Sequence, residues 1–239
     1  MKKSKDFFVY IVSNFILAVL ILSVGFVCLY SGGKEIATQS EEPSVYRKGI
    51  SPDGVSLMFN VYENAETVER ILEILKTHGA KATFFIGGIW AEKNENCLKK
   101  IVEDGHELGN HGYFHKDHTK LSAQRNIEEI TACNKLIETL TGYKLTLFAP
   151  PSGAYNKTTL AMASELNMKT VLWSRDTVDW RDKNASIIYT RATKNIVGGD
   201  MILMHPKKET ADALTDILNT YKKHALRAIT VSENLQIGG

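Results

Sequence analysis

The sequence has little cysteine, almost no net charge and no phosphate-binding glycine loop. Its 239 residues include three cysteines, of which Cys97 and Cys133 fall on apolar positions of helical patterns. These patterns predict two buried free thiols rather than a disulfide framework. The G-x-G-x-x-G and Walker sequences of nucleotide-binding sheets are also absent, which argues against an open doubly wound sheet around a nucleotide.

The formal net charge of +2 comes entirely from the first six residues. Taking Lys2, Lys3, Lys5 and Asp6 away from totals of 29 basic and 27 acidic residues leaves 26 of each sign. A nucleic-acid-binding surface needs clustered basic residues. We therefore expect no nucleic-acid partner, whereas an uncharged or mixed-charge ligand fits this balance.

An apolar run covers residues 7–30, directly after the basic tail at 1–6. As a helix the run is about 36 Å long, which exceeds the ~30 Å hydrocarbon core of a bilayer. The sequence predicts one transmembrane anchor with residues 1–6 in the cytoplasm and the rest of the chain outside the cell membrane. The alternative is a cleaved signal segment and a secreted protein, although signal peptides have shorter apolar stretches of about 7–15 residues.

Residues 31–50 are polar and predict a linker, and residues 51–239 predict one folded domain. In that domain short apolar strands alternate with amphipathic helices. The long helix of the series begins after a capping Ser122 and ends at Gly142. Seven strands are predicted, at 55–61, 82–86, 107–110, 145–148, 169–174, 201–204 and 228–231.

A helix or a long connection separates each predicted strand from the next, so the strands must run parallel. The predicted fold class is α/β, a distorted (β/α)7 barrel of parallel strands preceded by one transmembrane helix. Unusual residues follow the ends of these strands, among them His111, Pro150, Asp176 and His205. Barrel active sites are built at that edge.

Two histidines, His111 and His115, are four residues apart and could each offer a neutral imidazole to one divalent cation. The spacing alone is weak evidence, because nearby histidines are often surface or capping residues. His118 follows Lys116 and Asp117, and we expect it to be solvated.

Five motifs in order resemble the polysaccharide deacetylase family, also called the NodB homology domain or carbohydrate esterase family 4. The resemblance covers about 54 to 235 and is carried by residues 81–85 (KATFF), 110–115 (NHGYFH), 149–153 (APPSG), 176–180 (DTVDW) and 203–205 (LMH). It implies a divalent metal, usually zinc or cobalt, bound by two histidines and one aspartate. It also implies hydrolysis of N-acetyl groups on a cell-envelope glycan such as peptidoglycan.

The resemblance assigns a role to each matching residue. His111 and His115 become metal ligands, His205 the acid that protonates the departing amine, and Asp176 the residue that orients His205. The substrate-binding residues implied are Pro151, Ser152, Gly153 and Trp180. A backbone N–H of the loop at 149–153 is expected to contact the oxyanion. As single aromatics, Trp90 and Trp180 are also compatible with the core.

The first and third motifs depart from the family. Residues 58–62 (MFNVY) align with the family's TFDDG, so Asn60 replaces the base and Val61 replaces the metal aspartate. Asn has no titratable group near neutral pH, and Val has no donor atom. Ala149 stands where the family has the arginine that pairs with the base. Glu63 is a possible substitute, although a carboxylate at a helix N-terminus is the simpler interpretation.

Two hypotheses follow from these departures. The first is an anchored deacetylase with a metal and a nonstandard base, which the histidines and Asp176 support. The second is a catalytically inactive glycan-binding or scaffold protein on the same fold, which Asn60, Val61 and Ala149 support.

Overall fold

The computed structural model describes residues 11–12, 14–23 and 44–237, and the chain divides into two units, one up to Glu41 and one from Glu42 onward. In the first unit, residues 11–12 and 14–23 are helical and have exposed side chains. The rest of the predicted anchor at 7–30, like the tail at 1–6, lies outside the described residues. No helix in the described ranges is both long and apolar enough to cross a membrane.

The second unit is built on one parallel sheet. Its strands in spatial order are β1, β6, β5, β4, β3, β2, β8 and β7, and β9 also pairs with β2. The strands are β1 Val45–Tyr46, β2 Gly54–Val61, β3 Thr83–Ile86, β4 Glu107–Asn110, β5 Leu147–Phe148, β6 Lys169–Val171, β7 Arg175–Asp176, β8 Met201–Met204 and β9 Arg227–Ala228. Every pairing between neighbours is parallel. The sheet ends at β1 and β7, so the structure is a parallel α/β half-barrel.

The helices connect these strands and pack against them. They are α1 Ala65–Thr77, α2 Gly88–Lys93, α3 Glu95–Glu103, α4 Ala123–Thr141, α5 Lys157–Glu165, α6 Ala185–Thr193, α7 Lys208–Lys223 and α8 Val231–Leu235. Short 3₁₀ turns lie at His118–Lys120 and Pro151–Gly153.

The central strand and the helix after it show why the chain folds this way. All eight residues of β2 are buried, as expected for a strand covered on both faces. Helix α1 buries Val68, Ile71, Leu72 and Leu75 at helical spacing. Full burial of each such side chain contributes about 1.5–3 kcal/mol. The packing of this buried face holds the segment that follows β2 in place. The pocket described below begins at that end of β2.

Two predicted strands differ from the observed ones because of their partners. The predicted strand 169–174 divides into β6 and β7: the Leu172 N–H donates to Tyr46 O, whereas the Ser174 N–H donates to Met201 O. The chain thus changes neighbour between them. The predicted strand 228–231 ends early because the Thr230 side chain caps α8 by accepting from the Glu233 N–H.

The predicted linker at 31–50 contains a strand, since Val45–Tyr46 pairs with β6 at one end of the sheet. Other predictions agree with the structure. Ser122 caps α4 by accepting from the Arg125 N–H, and Gly142 ends that helix with φ 72°. Cys97 and Cys133 are buried free thiols.

Candidate active site

A pocket of about 380 Å³ lies where the carboxyl ends of the central strands meet. Its lining residues are Asn60, Tyr62, His111, His115, Ser152, Trp173, Asp176, Trp180, Leu203 and His205. Six of them were predicted as site residues from the sequence. We call the part of the lining that carries His205 the acid side, and the part that carries His111 and His115 the histidine-pair side.

On the acid side, Asp179 fixes His205, which directly follows β8. One carboxylate oxygen of Asp179 lies 2.7 Å from His205 Nδ1, and the other accepts from the His205 N–H at 2.7 Å. The Thr210 hydroxyl donates to that second oxygen at 2.7 Å. Because Nδ1 is engaged, Nε2 is the ring nitrogen left for the pocket. The Asp179 carboxylate is positioned to stabilise a protonated His205.

The interpretation of Asp176 as the residue that orients His205 is wrong. Asp176 is still part of β7, where it pairs with Leu203, and its carboxylate accepts from the Val178 N–H at 2.7 Å. Val178 then adopts a positive φ of 54°. That turn brings Asp179 to His205, while Asp176 lines the pocket.

On the histidine-pair side, a backbone carbonyl sets the tautomer of His111. His111 Nδ1 lies 2.7 Å from Ala149 O, and since a carbonyl can only accept, Nδ1 carries the proton. Nε2 therefore presents a lone pair, and it is buried with no hydrogen-bond partner among the described residues. Burial, and next the neighbouring His115, lower the pKa of His111 to about 3.

The His115 ring lies with its centroid 5.0 Å from that of His111. Burial and the nearby His205 lower the pKa of His115. The loop between the two histidines is held by the buried Glu129, whose Oε2 accepts from the Tyr113 N–H at 3.0 Å and the Phe114 N–H at 2.8 Å. This carboxylate replaces the hydrogen bonds that the loop would otherwise make to water.

The expectation that His118 is solvated is wrong. His118 is fully buried, and its Nδ1 lies 2.7 Å from Asn126 Oδ1 on α4. It begins the 3₁₀ turn that α4 covers, so the charged residues before it did not indicate its environment. Burial lowers the pKa of His118.

The two replaced motif positions at the end of β2 have different surroundings. Val61 is fully buried in the main hydrophobic core, whereas Asn60 lines the pocket. Asn60 is 2% exposed, and its Oδ1 has no hydrogen-bond partner within the described part of the chain. Tyr62, the next residue, lies over His115 with ring centroids 4.3 Å apart.

These residues do not fit the three-ligand metal site that the resemblance implies. The unpaired Nε2 of His111 and the neighbouring His115 can supply two nitrogen donors, but Val61 supplies none. Across residues 11–12, 14–23 and 44–237 no group of three His, Cys, Asp or Glu side chains could hold a metal ion. Catalytic zinc normally has three protein ligands.

Glu63 is not among the residues that line the pocket. Its carboxylate forms an ion pair with Lys207 Nζ, so the structure does not support Glu63 as a substitute base or ligand. Among the ten lining residues the single carboxylate belongs to Asp176.

The loop of the third motif, at 149–153, and two tryptophans complete the pocket. Ser152 lines it in a left-handed conformation with φ 57°, while Pro151 and Gly153 support the loop outside the lining. A Cβ at Gly153 would lie 2.7 Å from the Trp173 ring, so only glycine allows this approach. Trp180 lines the pocket and is 50% exposed, whereas Trp90 is a core residue.

The sequence and the fold resemble those of known proteins. The family model for polysaccharide deacetylase matches residues 48–171. The chain therefore belongs to the polysaccharide deacetylase family, which comprises hydrolases acting on N-acetyl groups of sugars and inactive relatives.

Three relatives illustrate this range. The uncharacterized protein YlxY of Bacillus subtilis is 38% identical over 84% of this chain and 66% of its own length. A peptidoglycan-N-acetylglucosamine deacetylase of Bacillus cereus is 34% identical over 76% of this chain and 68% of its own. The crystal structure of a CE4 family pseudoenzyme from Bacillus anthracis is 34% identical and superposes with a TM-score of 0.78, covering 81% of this chain and 69% of that one.

Sequence reasoning missed several residues that shape the site. Glu129 and Thr210 act through hydrogen bonds that form only in the folded chain. Tyr62 was named only as part of the first motif, although a bulky aromatic at the motif's glycine position was a signal that could have identified it.

Proposed function

We propose that this protein is a deacetylase that removes N-acetyl groups from a cell-envelope glycan such as peptidoglycan. The observation that carries the proposal is the acid side of the pocket, where Asp179 fixes His205 through its Nδ1 and its backbone N–H. Burying a carboxylate is costly unless a positive charge pairs with it, and a protonated histidine ring supplies that charge. The names of the deacetylase relatives support an N-acetylated glycan as the substrate.

The chain's own residues suggest how the protons move. Protonated His205 donates from Nε2 to the amide nitrogen as the C–N bond breaks, which lets the sugar leave as an amine, and Asp179 stabilises the charged ring. Asp176 is the carboxylate in the lining and accepts the proton of the attacking water, which leaves acetate. In the family a metal polarises the carbonyl and lowers the pKa of water. No step is assigned to a metal here, because its third ligand is lacking.

The second candidate is a catalytically inactive glycan-binding protein. It is favoured by Asn60 and Val61, which remove the base and the third ligand, and by the likeness to a solved pseudoenzyme. Both candidates place the same class of glycan in the same pocket, so they differ in turnover rather than in ligand.

The predicted anchor at 7–30 adds a location to either candidate. A single span with a cytoplasmic tail at 1–6 would hold residues 51–239 outside the membrane, beside the cell wall. A cleaved signal segment would instead release the same domain. Fractionating cells into membrane and secreted protein distinguishes the two.

The decisive experiment measures bound metal and acetate release on the full-length protein with N-acetylglucosamine oligomers. We expect acetate release by the wild type, and at least about a 100-fold loss in His205→Ala and Asp176→Asn. Bound zinc or cobalt that disappears in His111→Ala would show that two histidines suffice for binding.

The double change Asn60→Asp with Val61→Asp restores both family carboxylates and is the matched comparison. If acetate is released only by this double variant, the deacetylase proposal fails and the inactive glycan-binding protein replaces it.

A further inference from the structure

Tyr62 places an aromatic ring at the position of the motif's glycine, inside the pocket. Its ring centroid lies 4.3 Å from that of His115, 6.1 Å from His205 and 6.3 Å from His111. The ring therefore lies among the imidazoles of both sides. It is also 37% exposed, so part of it is available to a ligand.

Asn60, two residues earlier, brings an unpaired hydrogen-bond acceptor to the same pocket. Its Oδ1 is buried and has no partner among the described residues, although Asn60 lines the pocket. Leaving a buried amide oxygen without a donor costs about 1–3 kcal/mol. A ligand with an N–H or O–H group would remove that cost.

Neither residue has a structural role that accounts for this placement. A tyrosine that serves the core is usually buried with its hydroxyl bonded, whereas the Tyr62 hydroxyl has no hydrogen bond among residues 44–237. Trp180, 50% exposed, lines the same pocket. Trp173, which is partly buried, lines it as well. The pocket thus offers several partly exposed aromatic side chains and an acceptor that lacks a donor among the described residues.

We propose that Asn60 and Tyr62 form a sugar-binding subsite, in which the Tyr62 ring packs on the face of a pyranose and Asn60 Oδ1 accepts from the ligand's N-acetyl N–H. This inference rests on the proposed function, because it takes an N-acetylated glycan as the ligand. Asn60 and Tyr62, two of the residues that depart from the first motif, would then add glycan affinity at the positions where the family has a base and a glycine.

The same groups set the chemical class of the sugar. A de-N-acetylated sugar lacks the N-acetyl N–H that Asn60 Oδ1 would accept from, and its ammonium group must lose water to enter the pocket. An N-acetyl group offers one neutral donor and one acceptor instead. The subsite should therefore prefer N-acetylated over de-N-acetylated sugars.

The test is calorimetric binding of tetrameric N-acetylglucosamine and tetrameric glucosamine to the full-length protein and its variants. Tyr62→Leu should weaken binding of the N-acetylated oligomer about 2- to 10-fold, and Tyr62→Phe by less than about 2-fold, since the ring is kept. Tyr155→Leu, a partly exposed tyrosine outside the lining, is the matched control and should bind like the wild type.

Asn60→Leu separates a ligand-binding role from a structural one. It should weaken binding about 2- to 10-fold while leaving the melting temperature unchanged or higher, because an unpaired buried acceptor is removed. Wild-type affinity in both Tyr62→Leu and Asn60→Leu overturns the subsite and leaves the proposed function intact. Absence of binding by the wild type overturns both, and equal affinity for the two oligomers overturns the role of Asn60.

Discussion

The two sides of the pocket each fix one histidine through Nδ1, but with different partners. On the acid side the partner of His205 is the carboxylate of Asp179, and on the histidine-pair side the partner of His111 is the carbonyl of Ala149. Both partners select the tautomer. Only the carboxylate also stabilises a positive ring, so one side suits proton transfer and the other suits a neutral, electron-donating imidazole.

The largest effect is expected at the acid side. Asp179→Ala leaves the His205 N–H, His205 Nδ1 and the Thr210 hydroxyl without their buried partner. We expect the free energy of unfolding to fall by about 3 kcal/mol. Chemical denaturation measures this, and NMR of the His205 ring should show its loss of order.

The matched variant is Asp176→Ala, which removes one hydrogen bond from a backbone N–H. Its cost should be about 1 kcal/mol, with the His205 ring signals unchanged. Equal destabilisation by the two variants, with both disturbing His205, would contradict the assignment of Asp179 as the orienting residue.

On the histidine-pair side, Glu129→Ala should release the loop that joins His111 and His115. The Tyr113 and Phe114 N–H groups lose their acceptor, and we expect about 2 kcal/mol of destabilisation. Hydrogen exchange of these two amides should accelerate. The neighbouring Glu128, with a side chain 43% exposed, gives the control Glu128→Ala, which should leave the exchange unchanged; unchanged exchange in Glu129→Ala as well would refute the anchoring role.

The smallest effect is expected on the pH dependence of the free energy of unfolding. It arises because a buried neutral histidine resists protonation. The pKa of His118 is lowered in the folded chain, so below about pH 6.5 the unfolded chain binds more protons. The stability that neutral His118 contributes is complete above that pH and is lost as the pH falls toward the folded pKa, by at most about 1.4 kcal/mol per pH unit.

His118→Gln has no ring to protonate and should reduce the dependence of denaturation midpoints on pH between 7 and 5, while His111 and His115, whose pKa values are also lowered, keep the remainder. His224→Gln, at an exposed position, should follow the wild type. A wild-type slope in His118→Gln would show that other groups cause the acid sensitivity.

What the sequence predicted well depended on local signals. Helix α4 begins and ends where Ser122 and Gly142 indicated, because capping involves neighbours in the chain. Strand limits were harder: β6 and β7 are separate because the backbone changes partner between Leu172 and Ser174. Local apolar character does not reveal such a change.

For the candidate site too, local signals were predictable from the sequence and long-range contacts were not. Its lining could be anticipated, because the ends of parallel strands meet at one edge and six expected residues lie there. Which carboxylate reaches His205 could not, since Asp176 and Asp179 lie in one motif and a single positive φ at Val178 decides between them. The burial of His118 likewise depends on a helix that follows it in the chain.

The strand β1, only two residues long, has a practical consequence for handling the protein. Val45–Tyr46 covers the outer edge of β6, and Tyr46 O accepts from the Leu172 N–H. A chain shortened to residue 51 would leave that edge with unpaired backbone groups, which are templates for intermolecular strand addition. Preparations that begin before Val45 should therefore resist aggregation better than those that begin after it.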